Sequence, residues 1–293
     1  MMSTGLIDIL DPVQYRTAVH EFNRFFNISR KSPGITLLEE ILFHFSGFPY
    51  ENLSKIIKRY HSFESPEIRL PDEVLEGHIR SHLGGTCFSL TFFLGAILTH
   101  HNFEAYPVMA DMRRARNAHC ALIVVYEGSK YLVDPGYLLN KPMELDPAVP
   151  RIYHTDHSGV EVVYRPEDNG YHVHTFDYNN VKWRYRFQDR PVPEAEFLHY
   201  WLDSFSWNSM HGLCLTRTEK GKMIYIHKYY MRETRSGRKT NFNIRNNYHQ
   251  TIFSHFMIDP AVVDEALAAL SGCLAKERQL GLWVPRKIRE EGA

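Results

Sequence analysis

The chain of 293 residues carries 34 Lys and Arg against 34 Asp and Glu, so it has no net charge at pH 7. That balance excludes the broad positive field of a nucleic-acid or anionic-membrane binder, and no apolar run reaches the ~20 residues that span a bilayer. Cys87, Cys120, Cys214 and Cys273 stand far apart with no Cys-x-x-Cys pair, which argues against a zinc ribbon or a disulfide framework and for free, reduced thiols.

Met1-Met2-Ser3-Thr4-Gly5 lacks the basic and apolar blocks of a signal peptide, and a cytoplasmic setting is expected. Up to about His101 the pattern is helical. Helices are predicted over Pro12 to Phe26, Leu37 to Phe45 and Pro71 to His82, the last with Val74, Leu75, Ile79 and Leu83 at helical spacing. Gly84-Gly85 should end it by taking the left-handed conformation. Cys87 to Leu98 is apolar almost all round, as in a buried helix. Cys87 therefore falls in a first helical turn, where unpaired N–H groups and the helix dipole favour a thiolate.

From Ala105 to about Phe187 short runs alternate with turn residues at Glu127-Gly128, Arg165 to Gly170 and Asn179-Asn180, which reads as strands. Trp183, Tyr185 and Phe187 alternate with Lys182, Arg184 and Arg186, predicting a half-buried strand with a basic outer face. Pro193 to Phe205 returns to helix. Strands follow near Leu213 to Thr216 and Met223 to His227, and a last helix starts at Asp259-Pro260. Helices, then antiparallel strands, then mixed elements predict an α+β protein of three packed subregions.

A cysteine nucleophile needs a base and a group that orients it. If Glu127-Gly128 is a two-residue hairpin loop, Tyr126 faces Ser129, Ala121 faces Asp134, and His119 shares a face with Asp134. A one-residue slip would separate them. Each residue also has a plain structural role: a core thiol, a histidine before an apolar strand, an Asp that forms a turn before Pro135-Gly136. His154-Thr155-Asp156-His157 and His172-Val173-His174 come without a four-ligand set, so no metal is expected.

Phe48-Pro49-Tyr50-Glu51-Asn52-Leu53, Gly84-Gly85-Thr86-Cys87, His119 before an apolar strand, and Val133-Asp134-Pro135-Gly136-Tyr137 occur in that order. This resembles the arylamine N-acetyltransferase family from Phe48 to Tyr137. The resemblance implies a helical region over 1–103 carrying the nucleophile, a β-barrel over 104–192 carrying the histidine and aspartate, and an α/β lid over 193–293, on a cysteine-protease or transglutaminase-like core. It implies Cys87 as acyl acceptor, His119 as base and Asp134 as orienter. Tyr137, with Phe48 and Gly136 of the same motifs, would line the acceptor pocket. Leu83, Ser89 and Thr91 stand where the family has Arg, Glu and Asn, so Glu51 loses its expected arginine partner and needs another, or solvent.

The implied reaction is double displacement. An acyl thioester, acetyl-coenzyme A or a related one, acylates Cys87, and a primary amine or hydrazine takes the acyl group; no permanently bound cofactor is required. Arg113-Arg114-Ala115-Arg116 and Arg232 to Lys239 are candidate contacts for the donor's phosphates, or solvated loops. An acyl carrier protein is an alternative donor, as in amide synthases. A cysteine hydrolase or transglutaminase-like enzyme, and an inactive binding protein on the same fold, are further alternatives.

Overall fold

The computed structural model describes residues 8–29, 32–65, 67–113, 115–155, 157–177, 180–219 and 221–282; Met1 to Gly5, Arg114, Asp156 and Asn179, singled out above, lie outside the described residues. The N-terminal helices are α1 (Arg16–Phe25), α2 (Ile35–Phe45), α3 (Leu53–His61), α4 (Pro71–Ser81) and α5 (Cys87–His100). The segment at Pro12 starts as a 3-10 turn, Pro12–Tyr15, capped by Asp11, which accepts from the Val13 N–H at 3.0 Å. Phe22, Leu38, Ile41, Phe88 and Phe93 meet in the core of this bundle. Nearly every residue of α5 is buried, which is why its sequence shows no polar face.

The end of α4 differs from expectation. The left-handed residue is His82, with φ 55°, not a glycine. The glycines serve close approach instead. A Cβ on Gly84 would stand 1.9 Å from the Pro49 carbonyl oxygen, and one on Gly85 2.3 Å from Ser89 Oγ. Their absence lets β1 (Tyr50–Glu51) lie against this loop, with the Glu51 N–H donating to Gly85 O at 3.0 Å and a parallel bridge from Tyr50 to Gly85.

Eight antiparallel strands follow: β2 (Glu104–Met112), β3 (Ala115–Tyr126), β4 (Ser129–Val133), β5 (Met143–Leu145), β6 (Arg151–His154), β7 (Gly159–Arg165), β8 (Gly170–Phe176) and β9 (Val181–Phe187). Their order is β5-β4-β3-β2-β9-β8-β7-β6, and the two edge strands approach each other, giving a nearly closed barrel. Val108, Ala121, Ile123, Leu132, Val162 and Tyr185 fill it. The β3–β4 hairpin turns at Glu127 (φ 48°) and Gly128 (φ 80°), a primed turn, with Tyr126 opposite Ser129 as the spacing predicts.

The chain returns to the helical core through α6 (Glu194–Asp203), which inserts Phe197, Leu198 and Trp201. It then forms β10 (Cys214–Glu219), β11 (Lys222–His227), β12 (Tyr230–Arg235), β13 (Arg238–Asn243), α7 (Tyr248–Phe256) and α8 (Pro260–Gln279). Asp259 caps α8 as predicted, accepting from the Ala261 N–H at 2.7 Å. The second sheet runs β1-β10-β11-β12-β13, so an N-terminal strand forms its edge. A core of Leu53, Ile56, Leu215, Ile226, Ile252 and Val263 backs this sheet.

Sequence reasoning missed β12, β13 and α7. Every residue of β13 is exposed, so it carries no alternation to read. The β12–β13 hairpin docks on the barrel, where the Gly237 N–H donates to His157 O at 2.9 Å and Lys239 pairs with Asp177. Helical bundle, antiparallel barrel and C-terminal α/β layer together make the expected α+β fold. No helix among the described residues is long and apolar enough to cross a membrane.

Candidate active site

Thr86 stands at the N-cap of α5 in an extended conformation, and its side chain makes no capping bond, so the first-turn N–H groups around Cys87 are not taken up by a side-chain cap. Cys87 is 6% exposed, His119 4% and Asp134 0%. The hairpin register brings His119 and Asp134 together: His119 Nε2 and Asp134 Oδ2 are 2.8 Å apart. That bond leaves Nδ1 as the ring nitrogen available to the Cys87 sulfur. The other Asp134 contacts fix its carboxylate, since Oδ2 also accepts from the Tyr185 hydroxyl at 2.5 Å and Oδ1 from the Tyr137 N–H at 3.0 Å.

These contacts set the charges. A hydrogen bond from the Cys120 thiol pulls the Cys87 ionisation well below the ordinary thiol range; burial opposes this, while His119 and Lys55 reinforce it. Burial would lower His119, but the Asp134 carboxylate and then the Cys87 sulfur outweigh it and raise the imidazole to about 10. The two directions together favour a thiolate–imidazolium pair at neutral pH.

Of the other sequence candidates, Gly136 and Tyr137 border this group and Phe48 does not. A Cβ on Gly136 would meet His119 Cε1 at 2.8 Å and Cys87 Cβ at 3.0 Å, so glycine is required there by space. The Tyr137 ring lies 5.1 Å from the imidazole, edge to face. Phe48 has no exposed surface; it stacks on His78 at 3.8 Å and on Phe45 at 4.8 Å inside the helical core. That burial corrects its expected place in the acceptor pocket: an apolar ring at the end of a helix gains more by filling the bundle.

Glu51 does have a partner. Arg69 takes the part vacated at Leu83: its Nη1 lies 3.5 Å from Glu51 Oε1 and donates to Ser54 Oγ at 2.5 Å and to Gly84 O at 2.7 Å. The Ser54 N–H and hydroxyl complete the shell of the carboxylate, at 2.9 and 2.5 Å. Asn52 donates to Ser209 O and Gly212 O and accepts from the Cys214 N–H, which ties the motif to β10. Sequence reasoning did not find Arg69, Tyr185, Lys55 or Cys120. Only Tyr185 left a signal, the apolar alternation of its strand. The histidine clusters are barrel wall: His172 bonds Asp168 at 2.8 Å and Trp183 Nε1 at 2.9 Å. Among the described residues no group of three or more His, Cys, Asp or Glu could hold a metal ion.

The site is a thiol at the start of a buried helix beside a hydrogen-bonded His–Asp pair carried by the barrel. The comparisons with known proteins agree on one family. An N-acetyltransferase family model matches residues 35–265. The arylamine N-acetyltransferase from Mycobacterium abscessus superposes with a TM-score of 0.75 at 15% identity, covering 90% of this chain and 97% of that one. The Salmonella typhimurium arylamine N-acetyltransferase gives 0.70 at 16% identity (86% and 98%), and the Mycobacterium marinum enzyme in complex with CoA gives 0.71 at 17% (87% and 98%). No curated protein sequence matches. The chain belongs to the N-acetyltransferase family, and it shares the fold of the arylamine N-acetyltransferases.

Proposed function

We propose that the protein transfers an acetyl group from acetyl-coenzyme A to a primary aromatic amine through an acyl-Cys87 intermediate. The thiolate attacks the thioester carbonyl, coenzyme A leaves as its thiol, and the amine attacks the acyl-cysteine, passing its proton toward His119. Asp134 holds the imidazole in the required orientation, and the first-turn N–H groups of α5 face the developing oxyanion. The observation that carries this reading is the single constellation of Cys87 at a helix start beside a His119 fixed by Asp134 at 2.8 Å.

A cationic cluster supports a phosphate-bearing donor. Lys182 and Arg184 of β9, Arg232 of β12, Lys239 of β13 and Arg113 lie close enough that their mutual repulsion, Arg184 first, lowers the Lys182 ammonium. The basic hairpin and the Arg113 loop thus converge on one side of the barrel, and Arg184 also acts on Tyr137 beside His119. Coenzyme A carries its phosphates at the far end of a long arm from its thioester, which such a cluster and a recessed thiolate would match. The test is the intact mass of the protein after exposure to acetyl-coenzyme A without an amine. An acetyl adduct on the wild type, absent from Cys87→Ala and discharged by an arylamine, is expected. An adduct that survives in Cys87→Ala, or none on the wild type, overturns the reading.

A further inference from the structure

One buried cation, Lys55 of α3, has no carboxylate partner among the described residues, although it is only 5% exposed. Its ammonium donates to Ser204 Oγ, which passes a hydrogen bond on to Trp201 O at 2.5 Å, and it lies 4.4 Å from the centre of the Phe205 ring. A hydroxyl and a ring face solvate a cation without neutralising it, and a buried charge without a counter-charge is costly. An ammonium has three N–H donors, and Ser204 takes one.

Lys55 lines a cavity of about 10 Å³ together with Arg69, Thr86, Ser89, Trp201 and Phe205. That volume is close to one water-sized sphere. Among the described residues, none that lines it is acidic. Arg69 is already balanced, since its Nη1 lies 3.5 Å from Glu51 Oε1 and donates to Ser54 Oγ and Gly84 O. Lys55 therefore leaves one positive charge beside the cavity. The Thr86 side chain makes no capping bond at the start of α5, which leaves its hydroxyl as a second donor there. Ser89 stands where the family pattern has glutamate, so a position that could have brought a carboxylate to this cavity brings a hydroxyl instead.

We propose that this cavity is a binding site for one small monoatomic anion of the halide class, chloride above all, held by the Lys55 ammonium and the Thr86 hydroxyl. Its size excludes phosphate, sulfate and carboxylates, and the sign of its lining charge excludes metal cations. Water fits, but leaves the lysine uncompensated. The bound anion would complete a buried series of charges, Glu51, Arg69 and Lys55, against the loop that carries Thr86 into α5. The site is independent of whether Cys87 is acylated. Burial draws Lys55 down to about 7, although the sulfurs of Cys87 and Cys120 favour its charge. Anion binding needs the ammonium, so it should be full on the acid side of neutrality and fade as the proton is lost. The charged or titratable groups around it are Glu51 of β1, Arg69, Cys87 of α5 and Cys120 of β3.

The test is thermal unfolding of the full chain, followed by circular dichroism, in sodium chloride from about 1 to about 300 mM with sodium gluconate holding the ionic strength constant. Gluconate is too large for the cavity. At about pH 6 the wild-type Tm should climb with chloride and level off as the site fills, as for any ligand that binds the native state alone. Bromide should act alike. The response should be lost in Lys55→Met, and lost in the wild type at about pH 9, where the lysine is neutral. A Tm indifferent to chloride, or an equal rise in Lys55→Met, overturns the proposal and leaves the cavity to water. Should Lys55→Met fail to fold, anomalous scattering from wild-type crystals soaked in bromide decides. An ion within hydrogen-bond reach of Lys55 Nζ supports the site, and its absence from the cavity overturns it.

Discussion

Asp134 is the residue on which the local chemistry turns. It accepts from His119, Tyr185 and the Tyr137 N–H with no exposure of its own. Asp134→Asn keeps the volume but removes the charge that raises His119 to about 10. Acyl transfer should then fall by about 10³–10⁴ in kcat, as in comparable triads, with the circular dichroism unchanged. Tyr185→Phe removes one neutral donor and leaves the carboxylate, so its loss should be far smaller. Equal losses in steady-state assays of the two variants would contradict this division of roles. The sequence carried this pair in its alternation: the Glu127-Gly128 turn fixes the register, and register decides which face His119 occupies.

At the scale of elements, the segment from Leu83 to Cys87 shows how a short motif does more than end a helix. Helix α4 already terminates at His82; Gly84 clears the Pro49 carbonyl just before β1, and Gly85 clears Ser89 in the first turn of α5. Gly84→Ala would drive a Cβ into the Pro49 carbonyl oxygen, at a separation of 1.9 Å, with backbone rather than a flexible side chain as the obstacle. The strand and the start of α5 must then part. A destabilisation on the order of 3 kcal/mol is expected, since strain in a packed backbone belongs to the costly class of substitutions, and thermal melts would measure it. The glycine pair was visible in the sequence; its purpose was not, because the obstructing carbonyl lies some 35 residues earlier in the chain. The reverse holds for β12 and β13, whose polar, exposed residues offer no period and become strands only through pairing with β11.

Across the whole molecule, the helical region and the C-terminal sheet are locked together around the motif at Glu51-Asn52. Glu51 sits in β1 at the edge of the C-terminal sheet, Asn52 binds β10, and Arg69 reaches both Glu51 and the Gly84 carbonyl. The Arg69 and Glu51 side chains are 8% and 0% exposed. Arg69→Met should therefore cost about 3–5 kcal/mol by leaving a buried carboxylate unpaired. Adding Glu51→Gln should return a substantial part of that stability in urea unfolding, a coupling that independent sites would not show. Local patterning determined a good deal on its own: the buried Cys87 helix, the β3–β4 hairpin, the α8 cap, and the order of motifs that marks the family. Each rests on neighbours a few residues apart, whose periods and turn preferences act without the rest of the chain. The tertiary structure alone decided that Arg69 replaces the missing arginine, that Phe48 turns into the core, and that the Tyr185 hydroxyl reaches Asp134. Those outcomes depend on burial and charge balance among segments distant in sequence, which no local period encodes.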